Sequence, residues 1–124
     1  MLTTQTRIII AGGRDFTDRA LMEKCLIEWA DSLNLEPEDI TIVSGGARGA
    51  DALGERIARN FACNLCIYPA NWNKWGKSAG HIRNSLMANN ADYLLAFWDG
   101  SSPGTKSMIE KAEQLNLGVT VINY

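Results

Sequence analysis

The sequence predicts an α/β fold, a three-layer sandwich with an open, mostly parallel five-stranded sheet between two helical layers. Three observations carry this. Short β-branched runs alternate with amphipathic helical stretches along the chain, the arrangement that produces parallel strands joined by right-handed crossovers. The first two runs end on the same signal, a glycine pair, at Gly12-Gly13 and Gly45-Gly46. The 124 residues, 46% hydrophobic and 21% charged, suit one hydrophobic core and one domain over residues 1–124.

Each element has its own justification. Arg7 to Ala11 is a β-branched run that stops at glycine, which marks a buried strand followed by a loop. From Thr17 onward Met22, Cys25, Leu26, Trp29 and Leu33 recur at helical spacing, with Thr17 or Asp18 placed to cap the first turn. Pro37 ends that pattern, and Ile40 to Ser44 forms the second strand. Ala50, Leu53, Ile57 and Phe61 repeat at three- and four-residue steps, with Gly54 and Ala58 on the same side, so a second helix follows. Leu65 to Tyr68 is a third strand closed by Pro69, and the polar, aromatic stretch Ala70 to Lys77 reads as a loop. Ile82 and Leu86 mark a third helix, Tyr93 to Trp98 a fourth strand, Thr105 to Leu117 a fourth helix and Val119 to Ile122 a last strand.

Composition excludes several classes. Twelve Lys and Arg against fourteen Asp and Glu give a net charge of -2, which argues against a nucleic-acid binder driven by bulk charge. Cys25, Cys63 and Cys66 are odd in number, so no disulfide framework is expected, and a reducing, cytoplasmic setting fits. Cys63 and Cys66 have redox or metal spacing but fall at a strand, so they are read as core and no metal site is expected. The polar start, Met1 to Thr6, and the short apolar run Ile8 to Ala11 predict neither a targeting signal nor a membrane span.

In open parallel sheets ligands bind beyond the carboxyl ends of the strands, which directs attention to four strand-to-helix junctions. Ser44, Gly45, Gly46, Ala47, Arg48, Gly49, Ala50 and Asp51 are the sharpest signal, because small residues let backbone amides approach an anion at a helix N-terminus. Glycines that merely make a tight turn would look the same. The loop has neither dinucleotide-fold spacing nor the lysine of a Walker loop. Gly12, Gly13, Arg14 and Asp15 offer a second concavity, with Arg14 placed to meet a phosphate bidentately. Ser101, Gly104 and Thr105 gather hydroxyls and amides at a third helix start, where simple capping is the plain alternative. Lys74, Lys77, His81 and Arg83 make one segment locally basic, with Asn84 beside them as a further candidate contact. A lone His81 is more often structural than catalytic. Trp72, Trp75 and Trp98 stand in or beside these junctions, where an indole can stack on a base or simply pack in the core.

Taken together, Gly12-Gly13-Arg14-Asp15-Phe16, Ser44 to Asp51, and Ala79-Gly80-His81-Ile82-Arg83-Asn84 with Met87 resemble the YspA-like, cpYpsA-related branch of the SLOG superfamily over nearly the whole chain. That superfamily includes the SMF/DprA DNA-processing proteins, whose Ser-Gly-x-Ala-x-Gly loop is similar to Ser44 to Gly49, and the lonely guy phosphoribohydrolases. The resemblance implies a Rossmann-like fold and a nucleotide or nucleotide-derived ligand, ADP-ribose-type compounds included. Against the phosphoribohydrolase pattern, Arg83 matches the arginine, Asn84 stands where a lysine would be, and Met108 occupies the glutamate position. A methionine can neither move a proton nor stabilise an oxocarbenium ion.

Three functions follow as expectations. The leading one is a sensor or sequestering protein for a small phosphorylated ligand, with no certain cofactor and no membrane partner. A nucleotide-processing enzyme, for instance an N-glycosidic hydrolase using Arg83 for phosphate and Asp15 or Asp51 as carboxylate, is the alternative. A DprA-like DNA-handling module is third, because the acidic chain shows no basic stripe. A homodimer is compatible with all three.

Overall fold

Residues 4–124 are described by the structure, a computed structural model; positions 1–3 of the polar start lie outside the described residues. The strands are β1 (Thr6–Gly12), β2 (Ile40–Ser44), β3 (Asn64–Ile67), β4 (Tyr93–Trp98) and β5 (Gly118–Asn123). The helices are α1 (Arg19–Ser32), α2 (Ala50–Asn60), α3 (Trp72–Trp75), α4 (Ala79–Asn89) and α5 (Pro103–Gln114). The strands form one sheet in the order β3-β2-β1-β4-β5, and every pairing is parallel.

The central strands are apolar on both faces, which is why they read as continuous hydrophobic runs rather than as an alternation. Ile8, Ile10, Ile42, Leu95 and Phe97 meet Met22 and Leu26 of α1 and Leu53 and Ile57 of α2 on one side. Ile9, Ala11, Val43, Leu94 and Ala96 meet Met87 and Ala88 of α4 and Met108, Ile109 and Ala112 of α5 on the other. The three-layer sandwich is thus built from one sheet and two helix pairs. From β1 the chain runs outward to β2 and β3, then returns to place β4 on the opposite side of β1. The carboxyl ends of β1 and β4 therefore flank a topological switch point, where a crevice opens between diverging connections.

The differences from the sequence reading have local causes. The stretch 70–77 is not all loop: Asn71 Oδ1 accepts from Lys74 N at 3.0 Å and nucleates the single turn of α3, and a 3-10 turn (Gly76–Ser78) leads into α4. Asp18 rather than Thr17 caps α1, accepting from Leu21 N at 3.1 Å. Helix α5 opens two residues before Thr105, with Pro103 in its first turn, where the missing N–H costs nothing. Neither Ser101, Ser102 nor Thr105 caps it. Instead Asp99 Oδ1 accepts from Ser101 N at 2.9 Å and Ser102 N at 2.8 Å. All three cysteines are free and half-buried, and burial pushes the Cys25 and Cys63 thiols up. Among the described residues no helix is long and apolar enough to cross a membrane.

Candidate functional site

A cleft of about 570 Å³ opens at the switch point. Gly12 to Asp15 contribute from the end of β1, Ala47, Arg48 and Asp51 from the β2–α2 junction, and Gly80, His81, Arg83 and Asn84 from α4. Asp99 and the start of α5, Ser102 to Thr105, form the wall beyond β4. Trp72 and Lys77 also border it, as do the buried Met87 and Met108.

Much of the glycine-rich architecture holds the cleft together from behind rather than lining it. Gly13 N donates to Phe97 O at 3.2 Å and Ala50 N to Gly13 O at 3.1 Å. Gly46 N donates to Ser44 Oγ, and Ala47 N to Asp51 Oδ2, both at 3.2 Å. Ser44 is fully buried and donates to Glu55 Oε2 at 2.6 Å. Those four amides are therefore spent inside the protein: Ala50 N ties the β2–α2 loop to the β1–α1 loop, Gly13 N ties the β1–α1 loop to β4, and the other two brace the β2–α2 loop from within. Gly49 is the point of closest approach: its φ is +77°, and a Cβ there would collide with the Gly13 carbonyl and the Arg14 backbone. Gly49→Ala is expected to cost about 2 kcal/mol or more, combining a backbone region reserved for glycine with loss of loop packing. Urea denaturation reads this directly, and an unchanged midpoint would contradict it.

At the helix ends the position differs. The Ser102 side chain accepts from no backbone amide of the first turn of α5, which leaves that turn without a side-chain cap beside the cleft, the end of a helix where negative charge is welcome. Thr105 is buried there, with its hydroxyl 3.4 Å from Ser102 Oγ. Asn84 ties α4 to this wall through Nδ2 to Gly104 O at 3.4 Å. His81 is exposed, with Nδ1 3.1 Å from Ser107 Oγ, a second tie between the same two helices.

Arg83 is the most strongly positioned cation. Its Nε donates to Asn84 Oδ1 at 2.9 Å and its Nη1 to Gly45 O at 2.5 Å. An arginine fork has five donors, so three remain. Burial pushes this guanidinium below its ordinary pKa; Asp51 opposes that, and Arg14 adds to it. Among the described residues the ion pairs within 4.0 Å are Arg19–Glu23 and Lys24–Glu28, both on α1. Among the described residues Arg14, Arg48, Lys77 and Arg83 thus border the cleft with no carboxylate within 4.0 Å, although Asp51 acts on Arg83 and Arg14 from farther off.

Three acids share the cleft. Asp51 is 7% exposed, and burial pushes its carboxyl up to about 6 although the Ala47 amide, Arg83 and Arg14 all favour the ionised form. Asp15 accepts from the Tyr124 hydroxyl at 2.6 Å, and the Tyr124 ring meets Phe16 edge-on. Burial and that hydrogen bond push the phenol up to about 12. Asp99 is held below the usual carboxylate range by the amides of Ser101 and Ser102.

Of the residues singled out in the sequence, Gly12, Gly13, Arg14, Asp15, Ala47, Asp51, His81, Arg83, Asn84, Gly104 and Thr105 border the cleft. Ser44, Gly45, Gly46, Gly49, Ala50 and Ser101 do not; they shape the loops behind it. Trp98 is half-buried, packs on the core and donates from Nε1 to Ser102 O at 3.1 Å. Tyr124, the anchor of Asp15, carries no local signal, because only the β4–β5 pairing brings it there. Arg48 and Lys77, by contrast, were legible as cations beside glycine-rich or aromatic junctions.

The sequence profile of the YspA, cpYpsA-related SLOG family matches residues 6–75, more than half of the chain. The chain belongs to this SLOG family. It is 36% identical over 124 residues to the Gene 61 protein of Mycobacterium phage D29, across 95% of both chains. Its fold is similar to that of DNA processing protein A (DprA) from Streptococcus pneumoniae, with a TM-score of 0.69 at 14% identity over 98% of this chain. The chain spans about half the length of DprA, 51%. In this SLOG chain the β1–α1 and β2–α2 loops, both within the matched residues, meet the start of α4 at one cleft.

Proposed function

We propose that the cleft binds a small phosphorylated ligand, a nucleotide or nucleotide derivative of the ADP-ribose type, so that the protein senses or sequesters it. The observation that carries this reading is the gathering of Arg14, Arg48, Lys77 and Arg83, unpaired with carboxylates, beside the uncapped start of α5. Cations left without partners around a concave site favour an anion, and an arginine fork suits phosphate geometry. A ligand that binds only the folded state raises the melting temperature by mass action. A panel of mononucleotides, NAD and ADP-ribose is therefore expected to contain at least one compound that stabilises the protein. A panel that leaves the melting temperature unmoved at millimolar concentration overturns the reading.

One observation favours a hydrolytic second reading. Asp51, with its carboxyl near 6, has a proton affinity suited to general acid or base work at neutral pH. The phosphoribohydrolase glutamate position is filled by the buried Met108, so Asp51 or Asp15 would have to supply the carboxylate. Release of free base from a nucleoside phosphate, lost in an Asp15→Ala plus Asp51→Ala variant, is the result this reading requires. The likeness to DprA concerns the fold, and a gel shift at low salt is the corresponding test for DNA handling.

A further inference from the structure

Trp72 belongs to neither core cluster. It is 53% exposed, more than any other large hydrophobic residue described as exposed, and it borders the cleft. The other tryptophans of this region are accounted for. Trp98 packs on the core and bonds Ser102, and Trp75 lies under the Lys74 ammonium, 4.8 Å from its ring centre.

The space beside Trp72 is defined by Gly80, in the first turn of α4. A Cβ at Gly80 would lie 3.5 Å from Trp72 Cη2 and 4.0 Å from Arg83 Nη2, with nothing else within 4 Å outside its own helix and chain neighbours. One point in the cleft is thus flanked by an indole edge and by a guanidinium nitrogen not used in the bonds to Gly45 and Asn84. Glycine here sacrifices helix propensity relative to alanine, and what it leaves is a gap of about methyl size between the indole edge and the guanidinium.

We propose that Trp72 is the platform on which the planar base of the phosphorylated ligand stacks, while Arg83 meets its phosphate and Gly80 keeps the space between them clear. The proposal rests on the phosphate-binding reading of the cleft and adds the base to it. Stacking on an exposed indole tolerates any base, because every base has a π-face. Trp72 therefore selects for base over no base, rather than for one base over another. The same chemistry is presented by a free nucleotide and by a single-stranded nucleic acid.

The test compares AMP with ribose 5-phosphate by calorimetry on the full chain. Stacking predicts that AMP binds roughly 5- to 100-fold more tightly. Trp72→Ala is expected to erase that advantage while changing ribose 5-phosphate affinity less than about two-fold, and Trp72→Phe to retain most of it. Gly80→Leu fills the room without disturbing backbone geometry, so it is expected to fold at least as stably and to lose the same advantage. A six-nucleotide single strand that binds more tightly than AMP, in a Trp72-dependent way, supports the stacking and assigns its source to a polynucleotide. Equal affinities for AMP and ribose 5-phosphate, or an AMP advantage that survives Trp72→Ala, overturn the platform and leave the phosphate reading standing. Failure of both small ligands to bind at millimolar concentration overturns the platform, and failure of the whole panel of mononucleotides, NAD and ADP-ribose overturns the phosphate reading with it.

Discussion

An Arg83→Met variant is expected to bind AMP roughly 10- to 100-fold more weakly than the parent protein while keeping its fold, because hydrogen bonds to charged groups carry about 1.5–3 kcal/mol. The side chain is anchored at two points, Gly45 O and Asn84 Oδ1, so its remaining donors are held in place before any ligand arrives. Preorganised donors lose little freedom on binding. Removing the charge also removes a desolvated guanidinium that Arg14 disfavours, which offsets part of the lost bond to Gly45. The melting temperature is thus expected to move far less than the affinity. Arg83→Lys separates charge from shape: a lysine keeps the point charge without the fork, and intermediate affinity is expected. Calorimetry with AMP, paired with a thermal melt, reads both. An Arg83→Met protein that binds AMP as tightly as the parent would remove Arg83 from the site.

The second large effect concerns Asp51. Its carboxyl is pushed from 3.8 to about 6 by burial, despite the Ala47 amide and the nearby Arg83 and Arg14, with Glu55 pushing the same way as burial. The native state therefore holds a proton that the unfolded chain releases near pH 4. Between these two values the native state binds more protons, so the contribution of Asp51 to stability is fully present below pH 4, falls as pH rises, and is lost above about pH 6. The shift corresponds to about 3 kcal/mol. Asp51→Asn keeps an oxygen acceptor for Ala47 N and cannot ionise. The stability of this variant relative to the parent is expected to rise by about 3 kcal/mol between pH 4 and pH 8, as measured by urea denaturation at each pH. A difference that stays constant with pH would contradict the burial of an ionisable Asp51.

The fold was legible where a residue's role depends on its neighbours in sequence. Ile8 to Ile10, Ile40 to Val43 and Leu94 to Phe97 declare buried strands because β-branched and large apolar residues without polar alternation suit a sheet covered on both faces. The alternation of such runs with helices then implies parallel order and a crevice beyond the strand ends, which is where the cleft lies. Roles that depend on distant residues were not legible. The amides of Gly46, Ala47 and Ala50 look available in the sequence, yet Ser44, Asp51 and Gly13 occupy them. Tyr124 gives no hint that it anchors Asp15, 109 positions away. Asn71 turns an apparent loop into the short helix that presents Trp72. Each of these is decided by side chains that the fold, rather than the local pattern, brings together.

The central claim is that the cleft between the ends of β1 and β4 is a binding site for a phosphorylated ligand. Backbone amide NMR of the labelled protein titrated with AMP tests it residue by residue. The account predicts saturable shifts concentrated at Arg14, Asp15, Gly80, Arg83, Gly104 and Thr105, with the α1 surface and the outer edge of β5 unmoved. Saturable shifts centred elsewhere, or none with AMP or any other compound of the nucleotide panel at millimolar concentration, would contradict it.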